Sequence, residues 1–167
     1  MRNQDSLRTG LKELGIEAEE YQLEQLDWFY ELLIEWNQKM NLTAITDYEE
    51  VVKKHFLDSL SLVKIYHLQE AEKDGKTIRI LDMGTGAGFP GIPLRIFFPG
   101  AEYVLMDSLN KRIRFLDEVI CRLELTGVTA IHARAEEYGR KEEYREQFDL
   151  CVSRAVARLN SLAEYCL

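Results

Sequence analysis

The segment from Asp82 to Phe89, Asp-Met-Gly-Thr-Gly-Ala-Gly-Phe, constrains the fold of this chain more than any other. Three glycines alternate within it: Gly84, Gly86 and Gly88. Such glycines let the backbone turn sharply and approach a ligand without an intervening Cβ. A β-type run over residues 78–81 leads directly into the segment, and a predicted helix over residues 90–98 follows it. A strand, a glycine-rich turn and a helix in this order predict a ligand-binding loop.

Strand-type and helix-type patterns alternate through the second half of the chain. Strands are predicted at residues 78–81, 103–107, 128–132 and 148–152. Helices are predicted between them at residues 90–98, 111–125 and 136–147. Alternation of this kind implies parallel strands joined by right-handed crossovers. We therefore expect residues 77–167 to form an α/β fold, a Rossmann-like doubly wound parallel sheet.

Residues 1–76 show helical spacing instead. Apolar residues recur on one face from residue 19 to residue 39, which predicts an amphipathic helix. Thr46 and Glu49 have the spacing of a capping box, which predicts a further helix running to about Tyr66. We expect this amino-terminal helical region to pack on the Rossmann-like core.

Two acids indicate which cofactor the glycine-rich loop holds. Asp82 precedes the glycines and completes Asp-x-Gly-x-Gly-x-Gly, the form typical of class I methyltransferases that use S-adenosylmethionine. A carboxylate there can contact the ammonium of a bound amino-acid moiety, directly or through water. Asp107 ends the next predicted strand, where an acid accepts hydrogen bonds from both hydroxyls of an adenosine ribose. Both acids favour S-adenosylmethionine as the cofactor.

The glycines also fit the Gly-x-Gly-x-x-Gly fingerprint of dinucleotide-binding proteins, so an NAD-dependent oxidoreductase is an alternative hypothesis. Pro90 and Pro93 count against it. Neither residue has an N–H group, so the start of the following helix lacks donors that a pyrophosphate would use. S-adenosylmethionine carries no phosphate and tolerates this loss.

The loop after the third predicted strand reaches the same crevice in a doubly wound sheet. Ala135 and Glu136 lie in this loop and could border the adenine, and Phe89 could supply an apolar wall. Glu136 has an equally good explanation as an acid that stabilises the start of a helix.

The end of the fourth strand, Ser153-Arg154-Ala155, bears on the methyl acceptor. It contains neither the Asn/Asp-Pro-Pro-aromatic sequence of exocyclic amine methylation nor the Pro-Cys pair of a covalent cysteine mechanism. These absences favour an acceptor that needs no general base, such as guanine N7, with catalysis by placing that atom in line with the methyl group. Arg154 is the predicted catalytic residue, orienting the acceptor or holding the cofactor; a surface arginine is the alternative.

Charge is unevenly distributed along the chain, whose formal net charge is −8. Residues 1–50 hold twelve acidic residues against four basic ones, and the remainder is nearly balanced. Lys111, Arg112 and Arg114 form a compact basic cluster on a predicted helix. They are candidate RNA contacts, and a solvated helix face is the alternative.

The sequence has no apolar run long enough to cross a bilayer, and its amino end lacks the apolar core of a secretory signal, so we expect a cytoplasmic protein. Cys121, Cys151 and Cys166 show no metal-ligand spacing, so no metal site is expected. Cys121 and Cys151 are expected to be small buried hydrophobic residues.

Several motifs together resemble one family. They are Asn41-Leu42-Thr43, His55 with Leu57-Asp58-Ser59, the block from Asp82 to Pro93, Asp107-Ser108 with Lys111-Arg112 and Phe115-Leu116, and Ser153-Arg154-Ala155. The same motifs occur in the same order in the bacterial small-subunit (16S) ribosomal RNA guanine-N7 methyltransferases, also known as glucose-inhibited division protein B. The resemblance covers nearly the whole chain from Leu26 onward. It implies methylation of one guanosine in the small-subunit RNA with S-adenosylmethionine as donor.

The resemblance also implies roles for individual residues. It implies cofactor contacts for Gly84, Phe89, Ala135, Glu136 and Arg154. It implies that Asn41 and His55 pack the helical region against the site opening.

The sequence departs from the family at its end. Family members continue with three more strands after the fourth, whereas this chain stops at Leu167, so we expect a core truncated after the fourth strand, with an open sheet edge. This departure keeps a third hypothesis open, a non-catalytic RNA-binding or assembly module. We expect a monomer.

Overall fold

The amino-terminal helical region comes first in the computed structural model, which describes residues 2–73, 75 and 77–154. Its α-helices are α1 (Asp5–Glu13), α2 (Glu20–Met40), α3 (Tyr48–Val51), α4 (Asp58–Leu60) and α5 (Leu68–Lys73). A π-helical turn, Val52–Leu57, joins α3 to α4, and a 3-10 turn, Ser61–Lys64, follows α4. Residues 48–64 are therefore one continuous helix of mixed geometry, called the composite helix below.

A parallel sheet follows. Its strands are β1 (Arg79–Met83), β2 (Glu102–Asp107), β3 (Val128–His132) and β4 (Leu150–Val152), in the spatial order β3-β2-β1-β4. Helices α6 (Gly91–Phe97), α7 (Asn110–Arg122) and α8 (Ala135–Tyr138) lie in the three connections between successive strands. All strand pairs are parallel, so the predicted α/β doubly wound sheet is confirmed. The strand order reverses between β1 and β4, and doubly wound folds form their ligand crevice beside such a reversal, at the carboxyl ends of the strands.

Helix α2 joins the helical region to the sheet. One face of α2 is buried, and the Phe29 ring lies 5.2 Å from the Phe89 ring and 5.9 Å from the Phe56 ring, measured between centroids. The Gln22 side chain donates a hydrogen bond of 2.9 Å to the Ile96 carbonyl on α6. Apolar burial and a buried hydrogen bond together hold α2 on the sheet layer.

The composite helix begins differently from the prediction. The predicted capping residue was Thr46, but Asp47 is the N-cap, and its carboxylate accepts a hydrogen bond of 3.0 Å from the Glu50 amide. A carboxylate at this position satisfies an amide that the helix leaves unpaired, and its charge suits the helix dipole. Thr46 instead uses its carbonyl, which accepts a bond from the Tyr30 hydroxyl.

Two predicted helices in the second half are shorter than expected. The helix predicted to end at residue 125 ends at Arg122, because Glu124 adopts a φ of 51° and the Leu125 amide bonds back to the Ile120 carbonyl. The helix predicted over residues 136–147 is limited to α8. The residues after Tyr138 form turns, and this stretch lacks the apolar periodicity that would hold a long helix on the sheet.

The cysteine prediction was wrong for Cys121, which is exposed on α7. Cys151 is half-buried, and Cys166 lies outside the described residues. Among residues 2–73, 75 and 77–154, no helix is long and apolar enough to span a membrane. Within the same residues, no group of three or more His, Cys, Asp or Glu side chains is placed to hold a metal ion.

Gly91 at the start of α6 is required by close packing. A Cβ at Gly91 would overlap the Leu105 side chain and come within 2.8 Å of the Asp82 carboxylate. We expect Gly91→Ala to lower the free energy of unfolding by about 3 kcal/mol, because a buried clash forces neighbouring side chains to move. Urea denaturation measures the change.

Gly15→Ala is the comparison. Gly15 has a φ of 71° but open space around its Cβ position, so backbone strain alone should cost about 1 kcal/mol. An equal loss of stability in the two variants would contradict the packing explanation for Gly91.

Candidate functional site

A cavity of about 670 Å³ opens at the carboxyl ends of β1 and β2, which is the size of a small-molecule site. Residues predicted for the site that line it are Gly84, Gly86, Phe89, Asp107, Arg112, Ala135, Glu136 and Arg154. Lining residues that were not among the predicted site residues include Leu42, Thr43, His55, Thr85 and Arg134. The helical region and the sheet thus both contribute walls.

The glycine-rich loop turns at the end of β1 with Gly84, Gly86 and Gly88 at φ values of 68°, 61° and 94°. A Cβ at Gly86 would meet no atom within 4 Å, so this glycine leaves open space beside the loop. Gly88 does not line the cavity, because it packs against Ile92 and Leu116. Gly88 therefore closes the loop onto α6 and α7.

Asp82 lies beneath this loop and is fully buried. Its Oδ2 atom accepts hydrogen bonds of 2.7 Å from the Thr85 hydroxyl and 2.8 Å from the Gly91 amide. Its Oδ1 atom has no hydrogen-bond partner among the residues that the structure describes. Burial raises the pKa of the Asp82 carboxyl to about 6, and the two hydrogen bonds oppose that shift. Asp82 thus shapes the loop and keeps one acceptor atom unused.

Asp107 ends β2, as predicted, and lines the cavity. Its carboxylate accepts hydrogen bonds of 2.9 Å from the Gly86 amide and 2.9 Å from the Leu109 amide. The Arg112 guanidinium lies 3.3 Å from Oδ2 and 3.4 Å from Oδ1. Asp107 therefore ties the glycine-rich loop to the loop after β2 and holds a charge at the cavity wall.

The basic cluster is divided by this arrangement. Arg112 lines the cavity beside Asp107, whereas Lys111 and Arg114 are exposed on α7. Ala135 and Glu136 begin α8 and line the cavity. Glu136 is also in the first turn of that helix, so the structure is compatible with both explanations of this acid.

Arg154 meets the composite helix across the cavity opening. Its Nη1 atom donates to the Lys54 carbonyl at 3.1 Å and to the Asp58 carboxylate at 3.0 Å, and its Nη2 atom lies 2.8 Å from His55 Nδ1. The guanidinium also lies over the Phe89 ring, 5.3 Å from the centroid. These contacts join the end of β4 to the helical region.

His55 is the centre of this cluster. Its ring stacks on Phe89 at a centroid distance of 4.5 Å and an interplanar angle of 13°. Its Nε2 atom lies 2.9 Å from the Thr43 hydroxyl oxygen. Burial, followed by the nearby Arg154 charge, lowers the pKa of His55 to about 4, so the ring is neutral near neutral pH.

The sequence motifs implied only a packing role for His55 and no ligand contact for Thr43. One signal was present: both residues belong to motifs that carried the family resemblance. The contact between His55 and Arg154 joins residues 99 apart in the sequence, and Thr43 meets this pair through His55, which a pattern of local spacing does not show.

The lowered His55 pKa predicts a stability change with pH. Its folded value of about 4 lies below the ordinary 6.5, so between these values the unfolded chain binds a proton that the folded chain does not. Stability from His55 is therefore present above pH 6.5 and is lost as the pH falls towards 4. We expect the unfolding free energy of the wild type minus that of His55→Gln to fall by about 1 to 2 kcal/mol between about pH 7 and about pH 5.

The Asp82 carboxyl changes the stability with pH in the opposite direction. Its folded pKa of about 6 exceeds its ordinary 3.8, so its contribution is present at low pH and is lost as the pH rises through 6. Urea denaturation of both His55→Gln and Asp82→Asn separates the two groups. A pH-independent difference between the wild type and His55→Gln would contradict the lowered His55 pKa.

Comparison with known proteins places the chain in a family. Residues 22–167 match the family described as rRNA small subunit methyltransferase G. The chain belongs to this family. The resemblance found in the sequence motifs is thereby confirmed. Among curated members, the Ribosomal RNA small subunit methyltransferase G of Lachnoclostridium phytofermentans is 60% identical over 167 residues, and that of Alkaliphilus metalliredigens is 53% identical over 161 residues.

The match to the Lachnoclostridium phytofermentans protein covers 100% of this chain and 66% of that protein. The match to the Alkaliphilus metalliredigens protein covers 96% of this chain and 65% of that protein. The chain thus spans about two thirds of the length of these relatives. A solved structure from Plasmodium falciparum, named as a protein-L-isoaspartate O-methyltransferase in complex with S-adenosyl-L-homocysteine, matches with a TM-score of 0.54. The match covers 100% of this chain and 81% of the other at 18% identity. At this identity, the similarity shows a shared fold alone.

Proposed function

We propose that this chain binds S-adenosylmethionine and belongs to an enzyme that transfers its methyl group to N7 of a guanosine in small-subunit ribosomal RNA. One observation carries the proposal. A single cavity brings together the glycine-rich loop, the Asp107 carboxylate and the Arg154 guanidinium, in a chain whose relatives are named as ribosomal RNA methyltransferases.

The residues of the cavity suit the parts of this cofactor. Asp107 offers carboxylate oxygens to ribose hydroxyls, and Ala135 and Glu136 would border the adenine. Phe89 supplies an apolar wall, Gly84 lines the cavity, and Gly86 leaves room for the chain that follows the ribose.

The amino-acid part of the cofactor has matching groups as well. Asp82 does not line the cavity, but its buried Oδ1 atom has no partner among the described residues, which suits a water that links it to the ammonium. Arg154 would hold the opposite charge, the carboxylate, or orient the acceptor base. Gly88 would act indirectly, by holding the loop on α6 and α7.

When bound, S-adenosylmethionine supplies an electrophilic methyl group on a sulfonium. This chain's own contribution is to position the acceptor and to exclude water. His55 is poorly suited to act as a general base, because Arg154 already occupies its Nδ1 atom. An acceptor without a proton, such as guanine N7, needs no such base, and positioning then provides the rate enhancement.

The basic side chains exposed on α7 are candidates for RNA contacts. Lys111 and Arg114 are exposed on α7 near the cavity wall that Arg112 forms, so they are the proposed phosphate contacts. Arg112 is engaged with Asp107, which favours a role in the cavity over a role in RNA binding. We further propose that the protein acts as a monomer in the cytoplasm, where its RNA substrate is made.

Calorimetric titration with S-adenosylhomocysteine, and separately with NAD, tests the cofactor. We expect micromolar-range binding of the nucleoside, about −8 kcal/mol, and no binding of NAD. Transfer of a radioactive methyl group to naked small-subunit RNA and to small subunits then tests the acceptor. Tighter binding of NAD would support an oxidoreductase. Cofactor binding without methyl transfer to either RNA substrate would support a non-catalytic RNA-binding or assembly module.

A further inference from the structure

The hydrogen-bond partners of His55 determine which of its nitrogens carries the proton. Arg154 Nη2 lies 2.8 Å from Nδ1, and a guanidinium can only donate. Nδ1 of the neutral ring must therefore accept, so the hydrogen is on Nε2.

The tautomer of His55 in turn determines which hydrogen bonds the Thr43 hydroxyl accepts and which it can donate. His55 Nε2 lies 2.9 Å from Thr43 Oγ1 and donates to it, and the Ile45 amide donates to the same oxygen at 3.1 Å. A hydroxyl has two lone pairs and one hydrogen, so both of its acceptor positions are occupied. Only its hydrogen remains, and no acceptor for that hydrogen is found in the described part of the chain. Thr43 lines the cavity, so this donor is available to a ligand.

The surroundings of Thr43 favour an anionic partner. The acids that line the cavity, Asp107 and Glu136, follow β2 and β3, which lie on the other side of β1 from β4. Arg154 follows β4 and lines the cavity together with Thr43 and His55, whereas Asp58, which pairs with Arg154 at 3.0 Å, is not among the lining residues. A carboxylate accepts hydrogen bonds only, and charge-assisted bonds to it are the strong ones.

We propose that the Thr43 hydroxyl donates a hydrogen bond to the carboxylate in the amino-acid part of the bound cofactor, and that His55 and Arg154 act as positioning residues that impose this polarity on it. This inference rests on the proposed function, because it assumes an S-adenosylmethionine site. An oxygen of the acceptor base would be the competing partner of the same hydroxyl.

Two ligands that differ in the amino-acid part separate these partners. S-adenosylhomocysteine has the carboxylate, and 5′-methylthioadenosine lacks the whole amino-acid part. We expect Thr43→Val to weaken binding of S-adenosylhomocysteine by about tenfold or more and to leave binding of 5′-methylthioadenosine unchanged, because only the first ligand loses a hydrogen bond to a charged group. Thr43→Ser keeps the hydroxyl and should restore the wild-type affinity. Calorimetry on the 167-residue chain measures all six affinities.

Several outcomes would overturn this assignment. Unchanged binding of S-adenosylhomocysteine in Thr43→Val would exclude the carboxylate and favour the acceptor base. Equal weakening of both ligands would indicate structural damage to the cavity. Failure of the wild type to bind either ligand would refute the proposed function itself, and this inference with it.

Nuclear magnetic resonance of nitrogen-15-labelled histidine provides a readout that does not involve a ligand. We expect His55 to show the tautomer with hydrogen on Nε2, and the spectrum of His55→Gln assigns its signals among the three histidines. In Arg154→Met the tautomer should no longer be imposed, because methionine has no donor for Nδ1. A wild-type ring with hydrogen on Nδ1 would reverse the polarity of Thr43 and overturn the proposal.

Discussion

Asp107→Ala is expected to weaken binding of S-adenosylhomocysteine by at least about a hundredfold, the largest effect on ligand binding that we predict. The carboxylate is 3% exposed and accepts from the Gly86 and Leu109 amides, and Arg112 lies 3.3 Å away. Its loss leaves these donors without their acceptor and removes the partner proposed for the ribose hydroxyls. The lost ribose contact weakens the bound state alone, whereas the lost acceptor for the two amides also destabilises the free protein and weakens binding by loosening the loop that forms the site.

Two further variants serve as controls for Asp107→Ala. Asp107→Asn keeps one acceptor oxygen and the shape of the side chain, so an intermediate affinity is expected. Asp117→Ala removes an exposed acid on α7 and should bind as the wild type does, which controls for the change in net charge. Near-wild-type affinity of Asp107→Ala, measured by calorimetry on a variant that unfolds cooperatively, would remove Asp107 from the site.

Phe89→Ala is expected to lower the free energy of unfolding by about 3 to 5 kcal/mol, the largest effect on stability that we predict. The Phe89 ring is 5% exposed and contacts the ring of Phe29 at 5.2 Å and the ring of His55 at 4.5 Å. The Arg154 guanidinium also lies over it. Truncation leaves a cavity at the point where α2, the composite helix and the end of β4 meet.

Thermal and urea unfolding measure this loss, and a fall in Tm of about 10 °C or more is expected for a chain of this size. Phe89→Leu retains most of the apolar volume and should lose about 1.5 kcal/mol. Trp28 is 64% exposed on α2, so Trp28→Ala is a control with an effect within about 0.5 kcal/mol. A loss in Phe89→Ala no larger than in Trp28→Ala would show that the ring does not hold these elements together.

The sheet, and the edge of it that forms the candidate site, were predictable because the sequence patterns that indicate them each lie within a few neighbouring residues. Alternating strand and helix patterns predicted the positions of all four described strands to within about two residues. The glycine-rich loop and Asp107 follow β1 and β2 directly, and the carboxyl ends of adjacent parallel strands lie at one edge. Residues at such positions must come together once the topology is known.

Local sequence patterns did not identify the functional residue where neighbouring residues of similar chemistry could take the same role. Thr46 and Asp47 both suit the start of the composite helix, and the hydrogen bond from the Glu50 amide goes to Asp47. Arg112 has two neighbours of the same charge, Lys111 and Arg114, and only its side chain turns towards Asp107. Sequence spacing does not distinguish such neighbours, because the choice depends on which direction each side chain faces.

The sequence by itself therefore determined the α/β class, the order of the elements and the acids and glycines at the strand ends, because each follows from periodicity and from backbone requirements within a few residues. Only the tertiary structure placed His55 between Thr43 and Arg154, buried Asp82 beneath the loop and stacked Phe89 on the helical region. These contacts join positions far apart in the chain. Their geometry is set by how α2 and the composite helix pack on the sheet, which no local pattern of residues specifies.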